Sequence, residues 1–148
     1  MRRLYKEVLS ILKLNLAELA QALAQSDVRQ GYIDIEQGTV VLLDNNMDEE
    51  AAADYVFDME DDWEHYLPLP NAVDEHERHL MQEFAASQER EGIRTRLLQA
   101  LAGPGGAVRF HHQVKRLLLL PSWEAFWAKR LLDIARDLCE ENGLEYEE

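Results

Sequence analysis

Residues 31–44 read GYIDIEQGTVVLLD, and they decide between an all-helical chain and a mixed one. Tyr32, Ile33, Ile35, Thr39, Val40, Val41, Leu42 and Leu43 are strand formers, divided by Glu36-Gln37-Gly38. Gly38 supplies the positive φ that a tight hairpin needs. The stretch reads as a β-hairpin, the one persuasive β element in the sequence. Two strands alone are marginal in water. The hairpin must therefore pack on helices or pair its edge with another strand, and a homodimer formed through that edge is one solution.

Upstream, Asn15 and Glu18 stand as the ends of an N-x-x-E capping box. Leu16, Leu19, Ala20 and Leu23 follow at helical spacing and predict an amphipathic helix to about Gln25. Before it, Leu4, Val8, Leu9, Ile11 and Leu12 also recur with roughly helical spacing. Downstream, NNMDEEAAADYVFDMEDD predicts a helix capped by Asn46 or Asp48, ending by Asp62, with Ala52, Tyr55, Val56 and Met59 as its buried stripe. WEHYLPLPN has two prolines that force an extended segment. Asp74 starts a helix with Leu80, Met81, Phe84 and Ala85 on one face. The next places Ile93, Leu97, Leu98 and Leu101 inward and ends at Gly103. Another begins near Gly106. The last is capped by Ser122 and carries Trp123, Phe126, Trp127, Leu131, Ile134, Ala135 and Leu138 as a broad apolar stripe closed by Asn142-Gly143. The expected fold is α+β: a mostly helical single domain with one β-hairpin packed against helices.

Length and composition agree with that. The chain has 148 residues, 47% hydrophobic and 30% charged, the size and make-up of one globular domain. No apolar run approaches the ~20 residues that span a bilayer. The N-terminal MRRLYKEVLSILKLN starts like a signal peptide, but Lys6, Glu7 and Lys13 interrupt its apolar part and no small-residue cleavage site follows. It reads as a mature cytoplasmic N-terminus. The lone Cys139 excludes an internal disulfide and suits a reducing compartment.

Net charge is −14, and the charges are segregated. From Gln30 to Glu77 there are fifteen acids and no Lys or Arg; from Glu89 to Arg136 there are nine Lys and Arg against four acids. The overall field repels nucleic acid and anionic membranes, so neither is an expected partner. Two readings stand for the acidic span: a solvated face, or a surface that meets a basic protein partner.

The residues in their order also resemble a known family. Gly38-Thr39-Val40-Val41, Tyr66-Leu67-Pro68-Leu69-Pro70, Gly103-Pro104-Gly105, Trp123-Glu124-Ala125-Phe126, and the run from Ile134-Ala135 through Cys139 and Asn142-Gly143 to Tyr146 resemble uncharacterised protein family 158, a bacterial family of unknown function. The resemblance covers roughly Leu16 to Tyr146. In the family pattern the Gly-x-Gly turn leads into an aromatic residue and Arg-Arg-Phe-Lys-Asp; here stand Ala107 and Val108-Arg109-Phe110-His111-His112. The lysine and aspartate positions are both histidine, which weakens any role the basic motif has. The resemblance implies an intracellular bacterial protein and carries no activity with it.

Four groups of residues invite a chemical reading. Gly105 and Gly106 at a helix start, with Arg109, His111 and His112, form a candidate anion site. The stretch is no P-loop, because no Lys-Ser/Thr follows the glycines, and it lacks the strand and ribose acid of a dinucleotide fingerprint. The preferred reading is a helix corner: Gly103 closes one helix, Pro104 stops it, and Phe110, Val114 and Leu117 pack inward. Asp58, Glu60, Asp61, Asp62 and Glu64, with His65, His76 and His79, would suit a hard cation, but they lack the EF-hand glycine and the H-E-x-x-H spacing. They read as surface acids, and no metal, cofactor or catalytic residue is assigned. Cys139 sits among acids in a last helical turn, where a thiol is not activated. Trp123, Phe126 and Trp127 at helical spacing read as core rather than base-stacking groups.

The function expected from sequence is thus a non-catalytic acidic interaction or regulatory module of the bacterial cytoplasm. Asp54, Asp58, Glu60, Asp61, Asp62 and Glu64 would form its partner-facing surface. A metal-dependent hydrolase using the acids and histidines is the first rival, and a nucleic-acid binder using Arg90, Arg94, Arg96, Arg109, Lys115 and Arg116 the second.

Overall fold

The structure, a computed structural model, describes residues 13–43 and 46–148. The apolar spacing from Leu4 to Leu12 lies outside the described residues. Six helices and five short strands are present among the described residues, so the fold is α+β and mostly helical. The chain divides into two compact units. One gathers residues up to Val73 with Leu131–Glu148; the other is Asp74–Arg130.

In the first unit, β1 (Leu14–Asn15) runs directly into α1 (Leu16–Ala24). Asn15 caps α1 as its spacing to Glu18 predicts: its side-chain oxygen accepts the Glu18 N–H at 3.1 Å. Leu16, Leu19 and Leu23 on the inward face of α1 are buried. The hairpin follows as β2 (Gly31–Asp34) and β3 (Thr39–Leu42), paired antiparallel with Tyr32 opposite Val41 and Ile33 opposite Val40. Gly38 turns it with φ 64°, a left-handed value that costs glycine nothing. Its N–H reaches the Asp34 carbonyl at 2.9 Å.

The hairpin is not the whole sheet. Tyr66–Pro68 forms a further strand, β4, antiparallel to β2 with Leu67 opposite Ile33. The order β3-β2-β4 makes β2 central and all four of its residues buried. The prolines did force extension, as expected; the sheet converts that extension into a third strand. Pro68 is tolerated because β4 lies at the sheet edge, where no donor is needed on its outer side. The pairing that two strands lack comes from within the chain. A second addition is the parallel pair of β1 with β5 (Tyr146–Glu147), Leu14 opposite Tyr146.

Between the hairpin and β4 lies α2 (Glu49–Asp61). Asp48 caps it, accepting the Ala51 N–H at 2.8 Å. The unit closes on the end of α6 (Leu120–Glu141), whose Leu131, Ala135 and Cys139 are buried.

The second unit holds α3 (Ala72–Ala86) from Asp74 onward, α4 (Glu91–Ala100), α5 (Gly106–Arg116) and the start of α6. Helix α3 begins two residues before Asp74, so Asp74 sits in its first turn, where an acid suits the positive dipole end. Its core is aromatic. Phe84 lies edge-on to Phe110 at 6.2 Å and to Trp123 at 5.4 Å, and Phe110 lies edge-on to Trp123 at 5.1 Å, geometries that the ring quadrupoles favour. Phe110 and Val114 are fully buried, as their spacing predicts, and Trp123 is 5% exposed. Two expectations are corrected. Leu98 is not inward but 42% exposed, and Ala100 is buried; the inward arc of α4 is narrower than its leucines suggest. Helix α6 starts at Leu120, not after a Ser122 cap. The Trp123 N–H bonds the Leu119 carbonyl at 2.9 Å, which places Pro121 in the first turn, where its missing N–H costs nothing.

Among the described residues no helix is long and apolar enough to cross a membrane.

Candidate functional site

Helix α2 carries most of the acids singled out in the sequence. Asp54, Asp58, Glu60, Asp61, Asp62 and Glu64 are all exposed. Of the expected buried stripe, Met59 alone is buried, Ala52 and Val56 are half-buried, and Tyr55 is 52% exposed. The helix is thus covered only in part, with Ala51 to Ala53 and Val56 half-buried and Met59 its one buried residue. Phe57 and Trp63 are exposed as well, at 62% and 73%. Three aromatic rings are therefore set among acids on one short segment. Glu60 also ties the helix down, since the Tyr32 hydroxyl donates to Glu60 Oε1 at 3.3 Å. Burial, then the Glu60 charge, raises the Tyr32 pKa above its ordinary value.

The far end of α2 is electrostatically unfavourable. Its last turn holds no basic residue, while Asp58, Glu60, Asp61 and Asp62 crowd the negative end of the helix dipole. Asp54 and Asp58, and Asp58 and Asp62, are also like-charged pairs at i,i+4.

The glycine-rich stretch forms the corner between α4 and α5. Gly103 and Gly105 have φ of 72° and 78°. Gly106 is buried so closely that a Cβ there would lie 2.5 Å from the Leu101 carbonyl oxygen. Arg109 folds back on the corner: its guanidinium donates to the Ala100 carbonyl at 3.0 Å, the Pro104 carbonyl at 2.7 Å and the Ala102 carbonyl. Those carbonyls belong to the last residue of α4 and to the turn after it, and a planar five-donor group satisfies several at once. The two histidines diverge. His111 Nε2 lies 3.8 Å from Glu77 and its ring is edge-on to Trp123, whereas His112 faces an open groove. That groove, about 720 Å³, is lined by Arg96, Gln99, Ala100, Val108, Arg109, His112 and Gln113. Arg96, Gln99 and Gln113 carry no motif; packing of α4 on α5 alone brings them together. Residues 92–123 contain no acid, yet they contain five Lys and Arg.

His65 gathers carboxylates: Asp34 at 3.0 Å on Nε2, and Glu36 and Asp62 each at 3.5 Å on Nδ1. The imidazole occupies the centre of that set. Among the described residues no three His, Cys, Asp or Glu side chains form a group that could hold a metal ion. His76 and His79 instead lie beside Glu75 and Glu83. Cys139 is fully buried, and burial, followed by the Glu140 charge, raises its thiol pKa. A buried, protonated thiol is a poor nucleophile.

In comparison with known proteins, the model of one uncharacterised protein family, UPF0158, matches residues 9–147. No curated protein and no solved structure matches the chain.

Proposed function

The chain belongs to the uncharacterised protein family UPF0158, and since that membership brings no activity with it, we propose a function from the surface of α2: a non-catalytic interaction module that binds a basic protein partner. The observation that carries this reading is the joint exposure of Tyr55, Phe57 and Trp63 among six acids. Aromatic residues are enriched at interface centres and charges at their rims. The acids at the C-terminal end of α2 weaken the isolated helix, and a bound cationic surface would relieve that repulsion. The single buried cysteine and the absence of cations from 30–77 fit work in the bacterial cytoplasm on a positively charged protein.

The test is capture on immobilised protein at low salt, with wild type and Phe57→Ser/Trp63→Ser compared side by side. The expected result is retention of a basic protein by wild type and its loss from the double variant. Retention of the same proteins by both, or of none, would count against the reading.

A further inference from the structure

Seven large hydrophobic residues are exposed among the described residues: Val28, Tyr55, Phe57, Trp63, Leu98, Val108 and Leu118. All but Val28 fall into two groups. Tyr55, Phe57 and Trp63 lie in the span 30–77, which has no Lys or Arg; Leu98, Val108 and Leu118 lie in the span 92–123, which has no Asp or Glu. Each group combines three exposed apolar side chains with a single sign of charge, and the signs are opposite.

We propose that the α4–α5 groove docks the α2 segment of a second copy of this chain. The inference rests on the reading of α2 as a docking surface and names its partner. In the groove, Ala100 and Val108 offer apolar surface, and Arg96 and His112 offer polar groups. Arg96, Lys115 and Arg116 are exposed. On the other side, Asp54, Asp58, Asp61 and Glu64 are exposed as well. A helix laid into a groove by its apolar anchors is a recurrent mode of recognition, and here the helix is acidic and the groove basic. Charge complementarity fixes its direction and register.

Leu118 adds an independent sign. It is 86% exposed and holds φ 59°, a conformation that disfavours a leucine and suits glycine. A bare aliphatic side chain kept at a strained position gains nothing for its own fold, and it stands just past the C-terminal end of α5. A nucleic acid would make no use of Leu98, Val108 and Leu118, and the net charge of −14 opposes a polyanion.

The contact joins two different patches, so it is heterologous and each copy offers one half. That predicts a specific rescue. The protein is weighed by sedimentation equilibrium across concentration, at about 20 mM and about 500 mM salt, where screening lengths differ several-fold. Wild type should exceed its 17.1 kDa monomer mass at low salt and fall back toward it at high salt. Phe57→Ser/Trp63→Ser and Arg96→Glu/Arg116→Glu should each lose self-association by at least tenfold while melting as cooperatively as wild type. Mixed together, the two variants should form a complex of one copy of each, because one intact α2 and one intact groove remain. No complex on mixing overturns the proposal. So does a wild type that stays at the monomer mass in every condition; if α2 then still captures a basic protein, only the docking between copies falls. Self-association lost in Arg96→Glu/Arg116→Glu but unchanged in Phe57→Ser/Trp63→Ser overturns both readings. Retention of duplex DNA by a monomeric wild type, lost in Arg96→Glu/Arg116→Glu, also overturns it.

Discussion

His65 Nε2 lies 3.0 Å from Asp34 Oδ1, and this contact pins β4 to the hairpin turn. The same Asp34 oxygen accepts the Gln37 N–H at 3.0 Å, so one buried carboxylate holds both the turn and the strand that pairs beside it. The Ile35 N–H to His65 carbonyl bond at 2.8 Å runs alongside. Replacing Asp34 by Ala should cost about 1–3 kcal/mol, because two donors lose a buried acceptor. Asp34→Asn keeps an acceptor for Gln37 and should cost less. Urea midpoints of the two variants decide it; no loss in either would mean that the carboxylate holds neither donor.

Caps and turns were legible because their chemistry is local. Asn15 needs Glu18 three residues away, and Asp48 needs Ala51. The third strand was not, because Tyr66 to Pro68 become a strand only when Ile33 and Asp34 pair with them across more than thirty residues. The exposure of Tyr55 was hidden for a different reason: helical spacing reveals a period but not how wide an arc the rest of the unit covers. The groove of Arg96, Val108 and His112 depends on how α4 packs on α5, which no motif encodes. The opposed charge spans were plain in the sequence; what they lacked was the exposed apolar residues that give each span an anchor.

The α4–α5 corner gives a sharp test of close packing. In most helices Gly→Ala stabilises, but at Gly106 a methyl group would meet the backbone of Leu101 at 2.5 Å. Backbone cannot step aside as a side-chain tip does. Gly106→Ala should therefore destabilise by about 1–3 kcal/mol. Arg109→Lys should also destabilise, since one ammonium cannot reproduce the fork that spans three carbonyls. Thermal unfolding of both variants provides the measurement, and a gain in stability for Gly106→Ala would refute the close contact.

Leu118 offers the opposite sign. The Leu119 N–H reaches the Val114 carbonyl at 2.8 Å and the Leu118 N–H the Lys115 carbonyl at 3.2 Å, the paired bonds that end a helix through a left-handed residue. The end of α6 uses the same bonds with Gly143 at φ 66°. Giving α5 the same residue, by Leu118→Gly, should raise stability by about 1 kcal/mol through release of left-handed strain. Under the docking scheme it should also weaken self-association. A variant that is more stable and more monomeric would separate the demands of folding from those of binding in one substitution.

Alkaline pH should loosen the first unit. Burial raises the pKa of Tyr32 above its ordinary 10.0, with Glu60 adding to it. Burial likewise raises Tyr66, with Asp34, Asp62 and Glu36 adding. Between the ordinary and the folded values the unfolded chain has released protons that the folded chain still holds, so stability falls as pH rises. The contribution is intact below about pH 10 and is lost as pH climbs through the folded values. Denaturant midpoints from pH 8 to 11 should show that decline, and Tyr66→Phe should flatten it. A Tyr66→Phe profile as steep as that of wild type would place the loss elsewhere.

The acids at the end of α2 should act against the fold that carries them. Asp61 and Asp62 lie at the negative end of the helix dipole with no basic residue in the last turn. Asp61→Asn, which removes a charge without a hydrogen-bonding role among the described residues, should stabilise by about 0.3–1 kcal/mol at low salt, and the gain should shrink as salt rises. Asp62→Asn should gain less, because Asp62 Oδ2 also lies 3.5 Å from His65. If the same substitutions weaken capture of a basic partner, the repulsion is a cost that binding relieves. Should Asp61→Asn leave both stability and capture unchanged, the acids would be solvated ornament and the docking reading of α2 would rest on its three rings alone.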